Sequence, residues 1–266
     1  SHPTIIRVDA HSELEPGYAR AAMTTLDRTL SANVGGVMRA RGRTAFQRAV
    51  AAAYNSPIGL GGGSYHSGAQ EGPAESAYLG VMRRVVLNEV GGFDESIRRG
   101  EDWELNLRIR QAGYRVWFDP TLAVTYWPRD NLARLAKQFR STGTWRGELV
   151  RRYGRQNSLR FFAPPSLVLV VILAMLAGIG QVPGILSGAW TILAALAYLP
   201  LCAYVRLVVG YAASPAAGPG MAKRLWALIV LPTMHLAWGV GFLIGVARGA
   251  KDNIDTSRLD RNTPLP

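Results

Sequence analysis

A single cysteine, Cys202, stands among 266 residues, which excludes an intrachain disulfide framework and suits a reducing compartment. The chain has no zinc-ligand spacing, no helix-turn-helix pattern and no aromatic RNA-binding motif, so its net charge of +12 does not point to nucleic acid as a partner. Much of the basic excess lies beside hydrophobic segments, where anionic lipid head groups are the natural counterpart. The run Gly61-Gly62-Gly63 lacks the Lys-Ser/Thr of a P-loop and the spacing of a dinucleotide fingerprint. It therefore reads as a flexible active-site lid or a linker rather than a phosphate cradle. No internal repeat, low-complexity tail or opening secretory-signal pattern is present.

Charge is scarce beyond Pro164-Pro165, and long apolar segments take its place. Three candidate spans run from Ser166 to about Gln181, Gly188 to about Gly210 and Leu225 to about Val246. The second and third reach the roughly 20 residues a bilayer needs, and the first does so if Phe161 to Pro165 contribute. Pro183 and Pro232 interrupt the pattern in a way membrane helices tolerate. Three such segments in succession are hard to hide inside so small a soluble domain.

The basic segment Arg146, Arg151, Arg152, Arg155 and Arg160 precedes the first span and belongs in the cytoplasm by the positive-inside rule. The uncharged connection from Gln181 to Gly188 suits the outside, and Arg206, Lys223 and Arg224 return charge to the inside. Three full spans would leave Arg248, Lys251, Arg258 and Arg261 outside. Either the tail breaks the bias or one segment is re-entrant or interfacial, and Pro232 marks the last one as the segment to bend. His235 within it is expected to make a helix–helix hydrogen bond. The expectation is a multi-pass cell-membrane protein: a cytoplasmic unit over 1–160, a membrane domain over 161–250 with two to three spans, and a polar tail over 251–266.

The first part alternates elements in the manner of an α/β fold. Strands are expected at Thr4 to Val8, Asn33 to Arg39, Ser76 to Met82, Tyr114 to Phe118 and Leu122 to Trp127. Helices are expected at Pro16 to Leu30, Arg43 to Tyr54, Arg83 to Val90 and Leu132 to Tyr153, with Gly59 to Gly63 a loop. In the stretch Glu101-Asp102-Trp103-Glu104-Leu105-Asn106-Leu107-Arg108, Asp102, Leu105, Ile109 and Ala112 share one stripe of a 3.6-residue period. Gly113 stops that helix. A carboxylate in a first helical turn is favoured by the macrodipole, so Asp102 is a candidate general base; the alternative is plain decoration of a helix start. Asp9 and His11 project to one side of an extended chain. They read either as ligands for a divalent metal whose shell substrate phosphates complete, or as a turn or cap. His66 and Glu75 face either an acceptor or solvent.

Taken in order, several pieces resemble the membrane-associated family 2 glycosyltransferases, especially the succinoglycan-biosynthesis group of exopolysaccharide pathways. They are Val8-Asp9-Ala10-His11, the Gly59 to Tyr65 loop, Gly91-Gly92-Phe93-Asp94-Glu95, Glu101-Asp102 with Glu104 to Arg108, Trp117 to Pro120, Tyr126 to Arg129, Gln138 to Arg146 and His235 to Phe242. The resemblance implies a GT-A (Rossmann-like) fold, here partial, followed by transmembrane helices. It implies sugar transfer with inversion from a nucleotide-sugar donor to a lipid-linked or polysaccharide acceptor, with Mg²⁺ or Mn²⁺ on the diphosphate. Asp102 becomes the base by that likeness, and Asp9 the metal contact, with His11 where the family's motif has a second Asp. Glu101, Glu104, Gln138, Arg140, Trp145 and Arg146 become donor or acceptor contacts. The Gln-x-x-Arg-Trp spacing of processive relatives differs here, and processivity is not inferred. Such chains usually begin with a nucleotide-binding half, whereas this one starts at the strand carrying Asp9. The expectation is therefore a fragment, a mis-called start or one piece of a split enzyme; the alternative to the transferase reading is a non-catalytic membrane subunit or degenerate relative scaffolding a polysaccharide assembly complex.

Overall fold

The computed structural model describes residues 2–10, 12–60, 70–180 and 189–258. Two compact units divide the chain, Ser1–Asp130 and Asn131–Pro266. The change of composition at Pro164-Pro165 lies inside the second.

The first unit is built on a sheet whose strands are β1 (Thr4–Ile6), β2 (Ser12–Leu14), β3 (Asn33–Ala40), β4 (Gly72–Pro73), β5 (Val81–Arg83) and β6 (Val116–Tyr126). Its order is β1-β5-β3-β6-β2, with β4 also on β6. The long strands β3 and β6 run parallel, and the short ones pair antiparallel. Helix α1 (Tyr18–Thr29) covers the sheet by burying Tyr18, Ala22 and Leu26 against Val34, Val81, Leu122 and Val124. Helix α2 (Ala45–Tyr54) opens on a capping box in which Thr44 and Gln47 exchange hydrogen bonds, satisfying two otherwise orphaned N–H groups. Short helices α3 (Pro57–Leu60) and α4 (Arg84–Glu89) precede α5 (Glu101–Gln111). Helix α5 buries Leu105 and Ile109 in a second cluster with Ala32, Met82 and Val116.

Three sequence expectations change. Tyr114 to Phe118 and Leu122 to Trp127 are not two strands but the ends of one, β6, whose register against β3 slips between Gly35 and Val37. The extra residues include Asp119, which accepts from the N–H and hydroxyl of Thr121 and the hydroxyl of Thr25. The strand expected over Ser76 to Met82 survives only as Val81–Arg83, because Leu79 turns left-handed at φ 46° and breaks the extended run. Strand β1 ends at Ile6, and Asp9 sits in the turn that follows, closed by the Ser12 N–H on the Asp9 carbonyl at 3.0 Å. The Gly61 to Gly63 run and His66 lie outside the described residues.

In the second unit α6 (Leu132–Tyr153) is followed by α7 (Ala163–Gly180), α8 (Ala189–Ala213) and α9 (Met221–Arg248). Among the described residues three stretches are long and apolar enough to cross a membrane: Leu159–Ile179, Ala194–Ala213 and Met221–Arg248. Helices α6 and α9 meet backbone to backbone. A Cβ on Gly143 or Gly147 would strike the carbonyls of Trp238 or Phe242, and one on Gly241 or Gly245 those of Arg140 or Thr144. Small residues on both helices permit that closeness. His235 makes the expected interhelical bond, 2.9 Å from Nδ1 to the Tyr204 hydroxyl.

Where β3 passes the slipped part of β6, a Cβ on Gly36 would collide with the Leu122 backbone. Gly36→Ala is therefore expected to cost about 1–3 kcal/mol or more, read as a thermal midpoint several degrees lower. Gly72→Ala, where a Cβ meets nothing, is expected to leave the midpoint within error. Equal midpoints for the two variants would contradict this account of the strand crossing.

Candidate active site

The turn Gly91-Gly92-Phe93-Asp94-Glu95 is formed by two left-handed residues, Gly91 at φ 82° and Gly92 at φ 73°, a region costly to any residue with a Cβ. The Asp94 carboxylate accepts from the Ser96 N–H at 2.8 Å and closes the next turn. Arg108, one turn from the end of α5, holds the glycine turn in place: its guanidinium donates to the Val90 carbonyl and to the Gly92 carbonyl, the latter at 2.7 Å. Glu104 holds Arg108 in turn through two bonds of 2.7 Å. Glu104 is 2% exposed, so the expectation that it contacts donor or acceptor is corrected: its carboxylate is spent on the fold. A bidentate pair fixes orientation as well as charge.

This scaffold presents Phe93 beneath the guanidinium of Arg7, 5.3 Å from the ring centroid, within cation–π range. Three carboxylates converge on that guanidinium. Arg7 donates to Asp102, to Glu101 at 2.6 Å and, more loosely, to Asp9 at 3.4 Å. The four side chains are 24–26% exposed, so the cluster is shielded but opens to solvent. Glu101 and Asp102 come from the first turn of α5, whose N-cap is the left-handed Gly100. Asp9 and Arg7 come from the turn after β1, held by the Arg7 N–H on the Gly80 carbonyl at 3.2 Å.

The electrostatics follow from this crowding. Burial pushes the Asp102 carboxyl up to about 7; the Arg7 guanidinium opposes the rise, and Glu101 and Asp9 add to it. Burial works against the charge on Arg7, but Asp102, Glu101 and Asp9 outweigh it and hold that cation above its ordinary range. A carboxyl titrating near neutrality, reachable from solvent and fixed by a guanidinium, is suited to accept a proton at physiological pH.

Asp102 and Glu101 therefore stand together with Asp9, while His11 lies outside the described residues. Among the described residues no three His, Cys, Asp or Glu side chains gather as a metal-ligating group. Glu75 accepts from the Trp103 indole at 3.0 Å. Gln138, Arg140, Trp145 and Arg146 lie on α6 in the second unit. There Trp145 is buried and donates to the Asn253 carbonyl at 3.1 Å, Gln138 is buried, Arg146 stacks on Phe161 at 4.0 Å, and Arg140 is exposed.

Sequence reasoning missed Arg7. The signal was available, since Arg7 precedes Asp9 by two residues and so projects to the same side of an extended chain.

No protein-family model matches the chain. It is 30% identical over 238 residues to the succinoglycan biosynthesis protein ExoA of Rhizobium meliloti (strain 1021), a match covering 90% of this chain and 68% of the relative. A second relative, 25% identical over 160 residues, is a dolichyl N-acetyl-alpha-D-glucosaminyl phosphate 3-beta-D-2,3-diacetamido-2,3-dideoxy-beta-D-glucuronosyltransferase of Methanococcus voltae. That match covers 58% of this chain and about half, 49%, of the relative.

The raised Asp102 carboxyl has a pH consequence. Were Asp102 to act as a base it would have to be ionised, so any activity it supports is expected to climb as pH rises through about 7. Glu101→Gln removes an anion that adds to the rise, so the limb is expected to move to lower pH. Stability runs the other way: the folded state holds this proton more tightly, so the contribution is full below the ordinary value of 3.8 and is lost as pH rises through about 7. A rate profile whose acidic limb is unmoved by Glu101→Gln would argue against the cluster.

Proposed function

The chain belongs to the family 2 glycosyltransferases of the succinoglycan-biosynthesis group, and from that premise we propose that it transfers a sugar, with inversion, from a nucleotide-sugar to a lipid-linked or polysaccharide acceptor at the cytoplasmic face of the cell membrane. The observation that carries the reading is the carboxylate cluster around Arg7, with Asp102 brought to near-neutral titration at the start of α5.

In the proposed reaction an acceptor hydroxyl lies against Asp102. As its oxygen bonds to the anomeric carbon, its proton passes to the carboxylate, and the bond from that carbon to the nucleoside diphosphate breaks on the opposite face. A single displacement inverts the configuration. Arg7 keeps the Asp102 carboxylate oriented and compensates part of its charge. Glu101, on the same guanidinium at 2.6 Å, shapes the field at Asp102 and lies beside the reacting hydroxyl.

Asp9 suits a hard divalent cation, because its carboxylate is a quarter exposed and Mg²⁺ is commonly bound by one or two carboxylates with substrate phosphates and water completing the shell. Mg²⁺ or Mn²⁺ there, with His11 two residues on, would offset charge developing on the leaving diphosphate. The apolar stretches of the second unit would keep the enzyme where lipid-linked acceptors are found, with the basic residues of α6 toward the cytoplasm.

The test is Asp102→Asn in the full-length protein, assayed in membranes with nucleotide-sugar donors. General-base catalysis contributes about 10²–10⁴-fold, so kcat is expected to fall by about that factor while donor binding changes by no more than a few fold. Turnover at the wild-type rate would sink the assignment.

A further inference from the structure

Asparagine is a poor residue for the interior of a helix, because its amide competes for backbone partners. Asn106 nevertheless stands in the middle of α5, 1% exposed. Its Nδ2 donates to the carbonyl of Asp102 at 2.7 Å and to the Ser76 hydroxyl at 3.2 Å. Its Oδ1 accepts from Nδ2 of Asn33 at 2.6 Å. Asn33 is the first residue of β3 and is 2% exposed. Gly80 leaves room for this amide, since a Cβ there would run into the Asn33 side chain. The Asn33 Oδ1 is buried and accepts no hydrogen bond from the described residues.

Such an arrangement is costly as a way of holding a helix on a sheet. An orphaned buried acceptor destabilises the fold, whereas replacing both partners with apolar groups of the same shape is close to neutral. What the amide pair supplies, and apolar packing does not, is direction. It ties the start of β3 and the Ser76 segment to the carbonyl of Asp102 itself, in the helical turn that carries the carboxylate. A buried polar network whose members bond to one another fixes a single arrangement.

We propose that Asn33 and Asn106 form a positioning relay that sets the first turn of α5, and with it the Asp102 carboxylate, at a fixed place relative to β3 and the Arg7 guanidinium. Neither amide touches the reacting atoms; both act through Asp102. The inference rests on Asp102 being the base.

The test uses the full-length protein in membranes and compares Asn33→Ala, Asn106→Ala and the double variant. Displacement of a reacting group by about 1 Å costs about 10²-fold, so each single variant is expected to lower kcat about 10- to 100-fold with donor KM within about threefold. The double variant is expected to fall no further than the worse single one, because one relay is broken once. Wild-type kcat in the folded single variants, losses that multiply in the double, or losses confined to KM would each overturn the relay. Should Asn106→Ala fail to accumulate, Asn33→Ala decides alone, since it leaves α5 unaltered in sequence. Asp102→Asn separates the two levels. If it turns over normally the base assignment fails, and if it is inactive while both amide variants match wild-type kcat, only the relay fails.

Discussion

Three ionised carboxylates do not crowd together without a cation, and Arg7 is that cation. Like charges a few ångströms apart raise one another's affinity for protons, so Asp9, Glu101 and Asp102 converge only because a guanidinium lies among them. Burial still pushes the Asp102 carboxyl up to about 7, with Arg7 opposing the rise and Glu101 and Asp9 adding to it.

The rest of the first unit can be understood as what holds that guanidinium and the start of α5 in register. Phe93 supports Arg7 from the glycine turn, Arg108 pins the turn by its carbonyls, and Glu104 pins Arg108. Residues of one short stretch thus do two jobs. Glu101 and Asp102 face Arg7, while Glu104, Asn106 and Arg108 fasten the helix to what surrounds it. The slipped crossing of β3 and β6 gives the sheet a break beside Asp119, and the turn after β1 brings Asp9 back toward α5. The second unit has its own constraint, the bare backbone contact of α6 with α9.

Much of this was legible in the sequence. The α/β character, the long helix Leu132–Tyr153 and the three apolar stretches follow from periodicity and composition, signals that depend on many residues at once. The Asp102 stripe correctly buried Leu105 and Ile109. What the sequence concealed depends on pairs. Glu101 and Glu104 look alike in a helix start, yet one faces Arg7 and the other is buried on Arg108; only the three-dimensional partner separates them. Leu79, whose left-handed turn cuts short an apparently continuous strand, gives no local warning, because nothing in a leucine announces a positive φ. Arg7 was overlooked for the opposite reason, since a lone arginine in a basic chain carries little weight until its partners are known.

The central claim is that Asp102 is held as a carboxyl poised to change charge near neutrality. It is tested most directly by infrared difference titration of the carboxyl groups in the full-length protein against Asp102→Asn. The account predicts one carboxyl band that titrates near pH 7 in the parent and vanishes in the variant. Full ionisation of every carboxyl below pH 5, with identical spectra from the two proteins above it, would contradict it.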